Sequence, residues 1–154
     1  VKQGRSYDTK KKKAVIAVAL TNKHQVKRVY IKSIDDYSCK SLTSIFEEHI
    51  DTSAKIFTDK WRGYQPLKKT YNITQIKSDN GKNFKKLHII IHQVKSWLRT
   101  IPTHVSKWHI QAYFDEFCFR INRSQSKNTI WHNTIIKMVK HKPITQKQII
   151  WKLN

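Results

Sequence analysis

The stretch AVIAVAL, Ala14 to Leu20, restricts the fold of this chain more than any other. Seven consecutive apolar residues rich in β-branched side chains predict a strand covered on both faces, because a half-exposed strand would alternate apolar with polar. The run follows four lysines, Lys10 to Lys13, and precedes a polar turn, Asn22-Lys23-His24-Gln25. Beyond the turn, VKRVYIKSI (Val26 to Ile34) reads as its partner in a hairpin. The run is far short of the roughly 20 apolar residues that cross a bilayer, and its position and flanks do not suit a signal peptide. A soluble chain with no membrane partner is predicted.

Downstream, Ser41 is placed as the cap of a helix over LTSIFEEHI, and AKIFT (Ala54 to Thr58) as a third strand. A short helix at Leu67 to Lys69, a strand NITQIKS (Asn72 to Ser78) and a turn DNGKN (Asp79 to Asn83) follow. Leu87, Ile90, Ile91, Val94, Leu98 and Ile101 fall on one face of a helix that Pro102 ends. A further helix, from Lys107 to Ile121, has Ile110, Tyr113, Phe114, Phe117, Cys118 and Ile121 at core spacing, so Cys118 reads as core and not catalytic. After a basic loop, NRSQSK (122 to 127), a last helix carries apolar Ile130, Ile135, Met138 and Val139. The alternation of strands and helices assigns the chain to the α/β class.

Charge narrows the partner. Lys and Arg number 31 against 10 acids, a formal net charge of +21, and such an excess favours a polyanion, nucleic acid above all. A hydrophobic share of 38% excludes a disordered basic tail. Cys39 and Cys118 form no CxxC pair, which excludes a zinc ribbon or disulfide framework and suggests an intracellular compartment.

Most acids fall in turns or on solvated helix faces, but Asp59 stands where a buried strand ends, in IFTDKWRGY. That position suits a turn cap or a hard oxygen ligand for Mg²⁺ or Mn²⁺ at the sheet rim. His88, His92, Lys95 and Arg99 gather on the polar side of the first long helix, either a solvated face or a rail for phosphates. His88 and His92 alone lack the third ligand of a metal site. Cations adjoin aromatics at Lys60-Trp61-Arg62 and Lys107-Trp108, pairs suited to stacking bases; Trp97 reads as core, while Trp108 and Phe119 lie off the core stripe. Arg120, Arg123 and Lys127, in and before the NRSQSK loop, complete the candidate DNA contacts.

TDKWRGY (58 to 64), HQVKSWLRT (92 to 100), YFDEFCFRINRSQSK (113 to 127) and AVIAVAL together resemble the catalytic domain of ISXO-like insertion-sequence transposases. The resemblance implies an RNase H-like mixed sheet with flanking helices over residues 1–125, followed by a basic C-terminal helix and tail over 126–154. It implies metal-dependent cutting and joining of DNA with two Mg²⁺ or Mn²⁺ ions, terminal-repeat and target DNA as partners, a homo-oligomer on DNA, and a cytoplasmic, nucleoid-associated bacterial protein. Asp59 matches the family's second catalytic aspartate, and Gln93 falls at the third position, where many relatives carry Glu or Asn. The first aspartate, on a Val-Asp-Glu strand, has no match; Asp8 lies in a polar loop. The reading therefore expects an N-terminally truncated fragment, its first strand missing, that is inactive alone.

Overall fold

A computed structural model describes residues 12–101, 105–106, 108–124 and 127–145, with the side chain of Lys127 excepted. Asp8, Lys10, Lys11 and the tail beyond residue 145 lie outside the described residues. The hairpin forms as the sequence predicts: β1 (Lys13–Leu20) pairs antiparallel with β2 (Val26–Ile34), from Lys13↔Ile34 to Leu20↔Val26, with one irregularity at Ala19/Leu20. The turn closes through His24 N–H to the Thr21 carbonyl at 2.8 Å, with His24 at φ 55°.

Both faces of this hairpin are covered, which is why its first strand is apolar throughout. On one side, Val15, Ala17, Tyr30 and Ile34 pack with Leu42, Ile45 and Phe46 of α1 (Cys39–His49). On the other, Ala14, Ile16, Val18, Val29 and Ile31 meet Ile90 and Val94 of α2 (Lys85–Arg99) and Ile110, Phe114 and Phe117 of α3 (Ile110–Arg123). Val29 has no exposed surface. Trp97 packs against this second core, as predicted, its ring edge-on to Tyr113 and tilted against Phe117.

The cap of α1 corrects the sequence reading. Ser38, not Ser41, is the N-cap: its Oγ accepts the Ser41 N–H at 3.3 Å, while Asp36 Oδ1 accepts the Ser38 N–H at 2.9 Å and the Ser41 hydroxyl at 2.7 Å. The Ser41 hydroxyl is turned to Asp36, and Ser38 has the extended backbone a cap requires. These hydrogen bonds from Ser38 and Ser41 lower the Asp36 pKa to about 2.

β3 (Ile56–Thr58) and β4 (Ile73–Gln75) form a separate parallel pair, Ile56↔Ile73 to Thr58↔Gln75. The class is α/β, but the described strands form two two-stranded sheets instead of one mixed sheet. Ile56 and Ile73 share the core over α1 with β1, so one helix supports both sheets. α4 (Lys127–Lys140) keeps Trp131 75% and Val139 80% exposed, with Ile135 and Met138 also in solvent, so its apolar residues do not enter the core. Among the described residues no helix is long and apolar enough to cross a membrane.

Candidate nucleic-acid interface and strand-end acid

β3 ends at Thr58 because pairing ends there: its carbonyl accepts the Ile76 N–H at 2.8 Å. Asp59 follows, half-buried, its Oδ1 accepting the Trp61 N–H at 3.3 Å. Gln75 buttresses this turn from β4, its Nε2 donating to the carbonyls of Asp59 (3.0 Å) and Trp61 (2.9 Å). One amide thus fixes the backbone on both sides of Lys60. Asp59 is therefore a turn cap, the first of the two alternatives left open by the sequence, and it stands at the strand end that the second, a metal ligand, would need.

The neighbouring indole is a structural pin. Trp61 Nε1–H donates to the Tyr37 carbonyl at 2.9 Å, and the ring packs against the core over α1. Gly63 makes room for it: a Cβ there would stand 2.7 Å from Trp61 Nε1 and 2.8 Å from the Tyr37 oxygen. Lys60 and Arg62 remain exposed on either side of the anchored ring. Of the KWR triplet, the cations face solvent.

On α2, His92, Lys95 and Arg99 are exposed, while His88 is half-buried over the backbone of Gly81. Gly81 has φ +88°, and Asp79 and Asn80 before it also have positive φ, so the predicted DNGKN turn is a kinked 3₁₀ segment on which His88 rests. Gln93 lies on a different stripe of α2, lining a hollow with Lys27 and Lys86. That hollow adjoins Ile90 of the second core, whereas Trp61 beside Asp59 joins the first. Asp59 and Gln93 are thus associated with opposite faces of the β1–β2 hairpin.

Of the α3 candidates, Arg120 is exposed and forms an ion pair with Glu116 at 2.6 Å, and Arg123 lies 4.6 Å over the Phe119 ring. Lys127 opens α4. Trp108 is 55% exposed, as its place off the core stripe predicts. Lys12 binds the Val105 carbonyl through Nζ, giving one lysine of the basic run a tertiary role. Among the described residues, no three His, Cys, Asp or Glu side chains gather as a metal site.

The sequence reading passed over Gln75, Lys27 and Lys86. Gln75 pairs with Thr58 in the β3–β4 register, which brings its side chain to the Asp59 turn; that contact becomes legible only once the strands are known to be parallel. Lys86 and Gln93 are seven apart on one helix, a spacing that places them on one face.

Among protein families, the model of the ISXO2-like transposase domain matches residues 1–122. Comparison with curated proteins and with solved structures yields no match.

Proposed function

The chain belongs to the ISXO2-like transposase family, and from that premise we propose that it binds the DNA ends of an insertion sequence and supplies part of the centre that cuts and joins them. The observation that carries the reading is Asp59, a half-buried carboxylate at the end of β3, with its turn braced by Gln75. A carboxylate on a braced turn is held in one direction, as a group acting on a scissile phosphodiester must be.

Transposases of this kind usually employ divalent metal, and Mg²⁺ or Mn²⁺ would suit a carboxylate ligand. The described residues do not complete such a site, since Asp59 has no converging pair of His, Cys, Asp or Glu beside it. Its proposed part is that of one ligand, with the remainder contributed from outside the described residues. The other residues bind and orient DNA: Lys60 and Arg62 flank the acid, and His92, Lys95 and Arg99 line one side of α2. Arg120, Arg123 and Lys127 extend the cationic set, with His88 and Trp61 shaping the surface from beneath. A net charge of +21 supports assembly of several copies only where DNA neutralises their repulsion.

The test is strand joining by the full-length protein on its element-end DNA. Asp59→Asn is expected to reduce joining by more than about 100-fold, beyond the usual effect of residues that merely support metal ligands, while leaving DNA affinity within about twofold. Joining at the wild-type rate overturns the proposal. A second reading, DNA binding without chemistry, is favoured by the placement of Gln93 across the hairpin from Asp59. Mn²⁺ binding that Asp59→Asn weakens separates the first reading from the second.

A further inference from the structure

The hollow beside Gln93 has a volume of about 310 Å³ and lies where the start of β2, α2 and the end of α3 meet. Its apolar lining is Val26, Ile89, Ile90 and Ile121, and its polar lining Lys27, Lys86, Gln93 and Ser124. Ile89 is 49% exposed, an apolar surface kept in water on a strongly cationic protein. No acid lines the hollow, which disfavours a cationic ligand.

These groups define a ligand in three parts. The apolar lining takes a flat ring, the Gln93 amide donates and accepts hydrogen bonds at its edge, the Ser124 hydroxyl, its own proton on the Ile121 carbonyl at 2.8 Å, accepts there, and the two lysines take an attached anion. A nucleotide has all three. We infer that this hollow binds an unpaired base of a DNA strand, with Lys27 and Lys86 on its flanking phosphates. The inference rests on the DNA-binding reading and adds the form of DNA preferred, a strand with a base out of its stack.

The neighbouring surface supports a strand as the source. His92, Lys95 and Arg99 run along about 10 Å of α2 on a polar stripe separate from Lys86 and Gln93. Of these, His92 stands three residues after Ile89 and neighbours it on the helix surface, so a phosphate held there lies close to the apolar rim of the hollow. A volume near 300 Å³ is at the small end for ligand pockets and suits one base, not a base pair.

The experiment compares three duplexes of equal length and charge spacing: fully paired, with one bulged adenine, and with a bulged abasic site. The full chain is expected to bind the adenine bulge about fivefold or more tightly than the abasic bulge, the lower end of the effect of stacking one base. Ile89→Ala shortens the apolar lining and Ser124→Trp fills the hollow, and neither changes charge. Each is expected to bring the preference below about twofold while paired-duplex affinity and the urea midpoint stay at wild-type values. Competition by deoxyadenosine monophosphate distinguishes the sources: preference that persists at millimolar nucleotide assigns the site to a strand, and its loss assigns it to free nucleotide and overturns the strand proposal. Equal binding of the two bulges by the wild type, or a preference both variants retain, also overturns it. Failure to bind any duplex instead refutes the DNA-binding reading beneath it.

Discussion

Asn122 holds both backbone groups of Val29: its Oδ1 accepts the Val29 N–H at 2.7 Å and its Nδ2 donates to the Val29 carbonyl at 2.8 Å. Gln111, three turns earlier on α3, does the same for β2 further along, accepting from Ser33 N–H at 2.8 Å and donating to the Ile31 carbonyl at 3.0 Å. Cys118 lies between them, hydrogen-bonded to the Ile31 backbone. Three side chains on one helix face therefore serve the outward groups of a strand edge that would otherwise remain open.

Asn122→Ala is expected to destabilise the protein by about 2–3 kcal/mol, because it leaves two part-buried backbone groups without these partners. Asn122→Asp should also be destabilising, since a carboxylate cannot donate to the Val29 carbonyl. Urea unfolding measures both. An alanine variant within about 0.5 kcal/mol of wild type would show that water replaces the amide without cost.

Gly81→Ala is expected to cost about 1–3 kcal/mol, through a positive φ an alanine resists and a Cβ placed 2.6 Å from His88 Nε2. The double variant with His88→Ala should recover the clash but not the backbone strain. A double-mutant cycle in urea measures the coupling; strict additivity would rule out the contact.

Cys118 should resist alkylation. Burial, with a smaller contribution from Asp115, outweighs the Ile31 hydrogen bond and raises its thiol to about 11 from an ordinary 9.0. At pH 8 its thiolate fraction is then about 10⁻³, and labelling with iodoacetamide should be correspondingly slow until urea unfolds the chain. Because this acid is weaker when folded, its contribution to stability is full below about pH 9 and declines as pH rises through about 11.

Asp36 works at the opposite end of the scale. Its pKa of about 2, against 3.8 ordinarily, means that its support of the α1 cap is full above about pH 4 and is lost as pH falls through 2. Asp36→Asn should flatten the acid limb of the melting-temperature profile below pH 4; an unchanged limb would show that the hydrogen bonds do not favour folding.

Lys95 and Arg99 are tested by salt. If the α2 stripe contacts phosphates, each alanine substitution should lower the slope of log affinity against log salt by about 1. An unchanged slope identifies the stripe as a solvated face.

The hairpin was legible in the sequence because AVIAVAL admits little but a strand buried on both sides, and the two long helices because their apolar spacing is nearly complete. Neighbour-dependent features were not. Asn122 reads as part of a basic loop, since Asn-Arg-Ser is common in turns, and only the packing of α3 along β2 carries the helix through it. Ser38 and Ser41 are chemically alike as caps, and backbone conformation decides between them. Asp59 was identifiable as an acid at a strand end, but Gln75, which steadies it, becomes relevant only through parallel pairing. Trp131, Ile135, Met138 and Val139 of α4 fit a core helix by composition, and nothing in their spacing indicates that they stay in solvent.

The amide row on α3 also gives the hairpin a direction of growth. With the β2 margin already engaged by side chains, a newcomer could lengthen this sheet only alongside β1, whose outer margin faces no other strand among the described residues. Any strand added to this sheet would therefore lie beside β1, a side set by the α3 side chains along β2.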